Sequence, residues 1–372
     1  MAQPRQGRVF LWVSALLAVP VLLALHHGVG ANDSCIFRAG ATLCGPGLYR
    51  SDLQHELIGA HTSLYWRAPF YAWMLRPLLW FNFPVAWLAL NLAAVSGFIL
   101  LLPKSIGAYR HSLSLILVFF APLAYNVSIE QDGAIVLLIL SLSLAAEAGG
   151  FPFVAGAVLA FTLEKPSLFL LLPVVIATQK RWRMLYGYLA AAAVLIVFSF
   201  WIVGPSAIGD FVHIVSEYRQ TPEKMPTARG IAAVLEISSL WPVLSLMGTA
   251  ATIWKTRTGT FRGAFCTGIV ASVFVSPESY SHDLSVLLLP VLYFLFNGSM
   301  LQKAVAGLWF VPLVPYVYIH YSNWSVGVAL LVGLFLAALT LGGDKDSEAG
   351  VEGPPEIGVP ELDAQALQGS GA

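Results

Sequence analysis

Residues 184–203 read MLYGYLAAAAVLIVFSFWIV, twenty positions without a single Asp, Glu, Lys, Arg, Asn or Gln. At about 1.5 Å of rise per residue such a stretch, as a helix, is about 30 Å long, which matches the hydrocarbon core of a bilayer. Arg181-Trp182-Arg183 stands immediately before it, and basic residues beside a span mark its cytoplasmic end. This one segment predicts a membrane-spanning helix, and the rest of the chain repeats its character. Hydrophobic residues make up 58% of the 372 positions and charged residues 11%, whereas a soluble domain carries about 45–50% and about 25%. The mean hydropathy is +0.75.

Comparable apolar runs occupy residues 10–29, 84–102, 112–129, 133–146, 151–163, 166–178, 231–254, 263–276, 284–296, 304–319 and 324–341, with a further stretch at 68–81. They predict an all-α polytopic membrane protein with about ten to thirteen transmembrane helices. The first run follows Arg5 and Arg8 and is either an uncleaved first span or a signal peptide ending near Val29-Gly30-Ala31. Threading the runs alternately puts Arg5, Arg8, Lys104, Arg110, Lys180, Arg181, Arg183, Lys255, Arg257, Arg262, Lys303 and Lys345 inside, and Arg38, Arg50, Arg67, Arg76, Lys165, Arg219, Lys224 and Arg229 outside. Residues 1–341 form the transmembrane domain. Residues 342–372, rich in Gly, Pro, Asp and Glu, read as a disordered acidic cytoplasmic tail.

Twenty Lys and Arg balance twenty Asp and Glu, so no basic stripe points to nucleic acid. There is no phosphate loop, no H-E-x-x-H and no C-x-x-C, and the eight histidines lack ligand spacing, which predicts no metal. Cys35 and Cys44 share an exterior segment where a disulfide is permitted, and both the bridged and the free state are open; Cys266 falls inside a run. Two long exterior segments each carry a candidate interfacial helix. In one, Leu53, Leu57, Ala60 and Leu64 share a face; in the other, Ile208, Phe211, Val212 and Val215 do.

Ionisable groups between spans are expensive and mark functional sites by default. Here Asp33, Glu130-Gln131-Asp132, Glu164-Lys165, Glu278 and His282-Asp283 all fall on the outer side, beside short runs. Each has a plain structural reading: a helix cap for Asp33, interhelical glue for Gln131, a local ion pair for Glu164-Lys165, an orienting hydrogen bond for His282-Asp283. Their convergence on one face favours a polar cavity open to the outer leaflet.

The order of these segments resembles glycosyltransferase family 87. The similarity is carried by Asn32-Asp33-Ser34 with Phe37-Arg38-Ala39-Gly40 and Leu48-Tyr49, by Arg67-Ala68-Pro69-Phe70 with Arg76-Pro77-Leu78, and by Ile129-Glu130-Gln131-Asp132. It continues in Leu163-Glu164-Lys165-Pro166, Met225-Pro226-Thr227-Ala228-Arg229-Gly230 and Ser276-Pro277-Glu278-Ser279-Tyr280-Ser281-His282-Asp283-Leu284. Ala68-Pro69 stands where the family pattern has Pro-Pro, and Glu130-Gln131 where it has Gly-Gln.

That resemblance implies a GT-C type fold with an active site at the outer face of a bacterial inner membrane. It implies an inverting transferase that moves mannose or arabinofuranose from a polyprenyl-phosphate sugar to a lipid or glycan acceptor. The lipid-phosphate sugar is a co-substrate and no cofactor is implied. Asp33 matches the catalytic base. Lys165 and Arg229 lie in matched motifs and, with Arg67 and Arg219, are the candidates for the donor phosphate. His282, oriented by Asp283, and Gln131 and Glu130 are the candidates for substrate binding. The rival reading is a polytopic transporter or flippase, which also suits many spans and intramembrane charge.

Overall fold

A computed structural model describes residues 33–59, 63–102, 120–217, 221–310 and 324–340. The run 10–29, the tail 342–372, Arg219, the first eight residues of the run 112–129 and the second half of the run 304–319 lie outside the described residues. Among the described residues every regular element is helical. In chain order they include α1 (Ser34–Leu43), α2 (Ser51–Ile58), α3 (Pro69–Leu75), α4 (Phe83–Leu101), α5 (Ala121–Ser128), α6 (Gly133–Ala148), α7 (Pro152–Leu159) and α8 (Leu171–Thr178). They continue with α9 (Trp182–Val203), α10 (Ala207–Glu217), α11 (Ala228–Val234), α12 (Leu240–Thr256), α13 (Phe261–Val275), α14 (Leu288–Asn297), α15 (Met300–Leu308) and α16 (Trp324–Leu339).

The opening segment is the 22-residue α9, and it stops at Gly204, whose φ of 76° is open to glycine but strained for other residues. Together with α4 it is long and apolar enough to cross a membrane. Both helices turn large side chains outward: Val85, Leu92 and Leu100 on α4, and Val194, Val197 and Trp201 on α9, are exposed. An outward apolar surface of this extent is stable against lipid and unstable against water. The opposite face of α9 meets α7 with backbone against backbone. A Cβ on Gly156 would sit 1.8 Å from the Met184 carbonyl oxygen, and one on Gly187 2.0 Å from that of Phe153. Small residues allow this approach, which is how helices associate where no hydrophobic drive is available.

α13 is the central mast. Nearly all its side chains are buried, and α8, α12, α14 and α16 surround it. Phe265, Ile269 and Val273 anchor the larger of two cores there. The smaller core gathers Phe37, Leu48, Tyr65, Tyr71 and Trp87 from α1, α3, α4 and the chain between them. The Phe37 ring stacks on Trp87 at 4.5 Å.

Three segments differ from the expectation. The run 231–254 is two helices, α11 and α12, because Glu236 turns left-handed at φ 57° and Ser238-Ser239 follow in a polar break. The run 151–163 leaves α-geometry at Leu159 and tightens into a 3-10 turn, Ala160–Glu164. Lys165 then adopts an extended φ of −132° before Pro166, as a residue preceding proline must. Finally, the expected apolar stripe is only partly turned inward, with Leu53 half-buried and Leu64 buried but Leu57 exposed and Ala60 outside the described residues, and α2 also docks by a polar side chain, the buried Gln54. Its amide donates to the carbonyls of Leu48 (2.7 Å) and Tyr65 (2.9 Å) and accepts from the Tyr65 N–H (2.5 Å). That clamp fixes the path of Tyr65-Trp66-Arg67. On α10, Ile208, Val212 and Val215 are exposed as an interfacial helix requires, and Phe211 packs edge-on against Tyr49.

Candidate active site

The site lies at the junction of the two cores. Its floor begins with the turn between α5 and α6. Glu130 takes φ 62°, and its carbonyl accepts from the Trp87 indole at 2.7 Å. This left-handed turn delivers Gln131 and Asp132. Gly133 then starts α6 in contact with the late exterior turn: a Cβ there would stand 2.1 Å from the Ser285 hydroxyl and 2.6 Å from the Asn126 amide nitrogen. The Asn126 amide also donates to the His282 carbonyl at 3.3 Å, so two distant stretches of chain are tied at this point.

Asp33 precedes α1 without capping it by its side chain. Its carboxylate accepts from the Gln131 amide at 2.5 Å instead. The Gln131 oxygen faces the Arg67 guanidinium at 3.5 Å. Arg67 is buried between two carboxylates, Asp132 at 3.1 Å and Glu164 at 3.7 Å. Burial works against its charge, but these carboxylates more than compensate and hold the guanidinium protonated. Lys165 donates to Asp283, which also accepts from the Tyr280 N–H at 2.9 Å. His282 stands with Nε2 3.5 Å from the same Asp283 oxygen and stacks with Tyr280 at 6.1 Å. Burial depresses the His282 imidazole, so it is neutral at neutral pH, with Asp283 the main opposing influence.

These side chains enclose a polar cavity of about 90 Å³ whose wall includes Asp33, Arg67, Gln131, Lys165, Glu278 and His282. The remaining expected residues stand elsewhere. Asp283 lies behind Lys165, and Glu130 contributes its backbone turn to the floor. Arg229 stands behind the wall, where it donates to the Pro277 carbonyl at 2.8 Å and lies 5.5 Å over the Trp241 ring. Two cavity residues, Glu278 and Tyr280, received no role from the sequence, although Ser276-Pro277-Glu278-Ser279-Tyr280 sits directly before the His-Asp pair that did. Trp66 is a third, and it also lines an adjoining apolar groove of about 360 Å³ bounded by Pro69, Phe70, Leu195, Phe200, Ile208 and Phe211. Cys35, Cys44 and Cys266 are free thiols. Among the described residues no three His, Cys, Asp or Glu side chains converge as metal ligands would.

The sequence profile of glycosyltransferase family 87 matches residues 67–277, more than half of the chain. The chain belongs to glycosyltransferase family 87. No curated protein and no solved structure matches it. Membership sets the glycosyltransferase reading above the transporter reading. The match takes in Arg67, Glu130, Gln131, Lys165 and Arg229 and leaves Asp33, Glu278, His282 and Asp283 outside it.

In this glycosyltransferase the Glu130 backbone explains why its position resembles a glycine position. A non-glycine residue in the left-handed region costs roughly 1–2 kcal/mol, partly offset by the roughly 0.5–1 kcal/mol of extra chain entropy a glycine loses. Its Oε2 is also buried with no hydrogen-bond partner among the described residues. Glu130→Gly is therefore expected to unfold at a higher temperature in detergent, with about 0.5–1 kcal/mol gained. The KM for either substrate should stay the same. A KM raised tenfold would return the Glu130 side chain to the sugar.

Proposed function

We propose that this glycosyltransferase moves a sugar, mannose or arabinofuranose, from a polyprenyl phosphate to a hydroxyl of a lipid or glycan acceptor. The reaction takes place at the outer face of a bacterial inner membrane, within a polytopic GT-C type bundle. The observation that carries this reading is the pairing of the polar cavity with the apolar groove across Trp66. One molecule that needs both is an amphiphile with a phosphosugar head and an apolar tail. Head and tail would lie on opposite sides of the indole, the tail along α9 and α10.

Each group then has work suited to it. Asp33, held by Gln131, takes the proton of the attacking acceptor hydroxyl. Lys165 and Arg67 face the phosphate as its bond to the anomeric carbon breaks, Lys165 as a point charge and Arg67 through its fork of donors. His282, neutral and oriented by Asp283, is a hydrogen-bond partner for the acceptor or for a phosphate oxygen. Gln131 reaches sugar hydroxyls with its free capacity. Arg229 is an expected phosphate ligand that here braces the turn bearing Glu278, and we assign it that bracing role. A single displacement by the acceptor inverts the anomeric centre.

The test is transfer by purified protein in lipid nanodiscs from radiolabelled polyprenyl-phosphate mannose or arabinofuranose, with a nucleotide sugar in parallel. Transfer from the lipid donor alone is expected. Transfer from the nucleotide sugar alone would overturn the donor assignment. The groove adds a sharper comparison. Leu195 lines it, and Leu195→Trp should raise the KM of a long-chain donor about tenfold, equivalent to about 1.4 kcal/mol. A short-chain donor should be unaffected. Equal effects on both would remove the groove from tail binding.

A further inference from the structure

Arg67 faces two carboxyl groups with one charge. Its Nη2 donates to Asp132 Oδ1 at 3.1 Å, and its Nε lies 3.7 Å from Glu164 Oε2. The three side chains come from three separate places: the chain just before α3, the left-handed turn before α6 and the 3-10 turn after α7. Asp132 is 2% exposed and Glu164 1%, so water does not solvate either carboxyl. The other cation acting on Glu164 is Lys165, which donates to Asp283. A second ionised carboxyl beneath Arg67 would therefore be a buried charge without a counter-charge, which a fold tolerates poorly.

The contacts of the two acids point to how this is resolved. Asp132 and Glu164 stand within hydrogen-bond reach of each other. Ionised carboxylates only accept, so a bond between them needs a proton on one of the two. With both ionised, the two Glu164 oxygens and Asp132 Oδ2 are buried and have no hydrogen-bond partner among the described residues. A single proton lets one acid donate to the other and removes one of the two negative charges. The remaining groups that face the pair are the phenols of Tyr65 and Tyr71, and neither brings a positive charge.

We propose that Asp132 and Glu164 share one proton beneath Arg67, and that this singly charged pair positions the guanidinium at the cavity wall. Neither acid lines the cavity, whereas Arg67 does, so both act through Arg67 and not on a substrate. The main chain keeps the partners in register. The Ala68 N–H donates to the Glu164 carbonyl at 3.4 Å, and the Tyr49 hydroxyl donates to the Arg67 carbonyl at 2.7 Å. The consequence for the donor rests on the reading of the site as a transferase for a lipid-phosphate sugar. With one proton in the pair, Arg67 and its two acids sum to zero charge. With none they sum to one negative charge, directly behind the place where a phosphate enters.

Infrared difference spectra test the proton, taken on the full chain in nanodiscs at pH 7 as wild type minus Glu164→Gln and wild type minus Asp132→Asn. Both differences should show the loss of the same protonated-carboxyl stretch. Glu164→Gln lacks one acid, and in Asp132→Asn the remaining Glu164 has Arg67 to itself and ionises. A stretch that survives in Asp132→Asn makes Glu164 a neutral acid independent of its neighbour. No stretch lost in Glu164→Gln means two ionised carboxylates. Either result overturns the shared proton. So does failure of either amide variant to fold, since a pair with one proton already contains a neutral member.

The KM for a polyprenyl-phosphate sugar tests the positioning. Glu164→Ala removes one side of the seat of Arg67 and should raise that KM about tenfold, with a smaller change in kcat. Glu164→Gln should recover most of the loss, because a neutral amide then stands where a neutral acid stood. A Glu164→Gln enzyme as weak as Glu164→Ala would show that Glu164 works as an anion and overturns the proposal. A Glu164→Ala enzyme with the wild-type KM overturns the positioning role. If wild type transfers nothing from the lipid donor while the stretch behaves as expected, the functional reading fails and the proton pair stands without it.

Discussion

Asp33→Asn should bind the lipid donor with near wild-type affinity and lose about 10²- to 10⁴-fold in kcat, the range expected when a positioned base is removed. The geometry makes the substitution clean. The Asp33 side chain makes no capping hydrogen bond to α1, so the substitution takes none away. Its carboxylate accepts from the Gln131 amide at 2.5 Å, and an asparagine oxygen can accept that bond too. What disappears is basicity. The loss should therefore fall on turnover more than on KM. The measurement is steady-state transfer alongside equilibrium donor binding. Turnover within threefold of wild type would sink Asp33 as the base. A variant that fails to bind donor would instead make Asp33 a binding group.

The second large effect is expected at Lys165. It is 4% exposed and donates to Asp283, itself 4% exposed. Lys165→Met removes one partner of a buried pair, and the stranded carboxylate should cost about 3–5 kcal/mol of stability. The double variant Lys165→Met/Asp283→Asn removes both charges of that pair and should recover most of that stability. It should not recover activity, because the cation facing the phosphate is still missing; kcat should remain about 10²–10³ below wild type. Unfolding midpoints and kcat, measured on the same preparations, separate the two roles. A double variant that regains both would reduce Lys165 to a structural ion pair, the plain reading its neighbours in sequence also allow.

The helical class and the outward apolar surface of α9 are legible in residues 184–203 because hydrocarbon imposes a simple rule of length and polarity. The convergence of Asp33, Gln131, Lys165 and His282 is legible for a related reason. Polar groups are so expensive between spans that their mere presence marks a place. What the residue types leave hidden depends on backbone direction. Nothing in the run 231–254 weighs Glu236 heavily enough to predict a left-handed break there. The inward face of α2 belongs to Gln54 because three backbone groups await it, which an apolar-stripe argument cannot see. Arg229 and Lys165 look alike as cations in turns, yet one points into the cavity and the other behind it. Glu278 shows in the sequence as an exterior carboxyl, but its place on the cavity wall depends on the bonds of Ser276 and Arg229 that hold its turn.

The contact of Gly133 with Ser285 also has a consequence for biosynthesis. Asp33, Arg67 and Lys165 all lie within the first 165 residues, whereas His282 and Asp283 beside them come more than a hundred residues later. Until Asp283 is in place, a growing chain carries Lys165 without its counter-ion and Gly133 without its seat. The polar cavity is thus walled from both ends of the chain, and its last side comes only with the turn that carries Glu278, Tyr280 and His282.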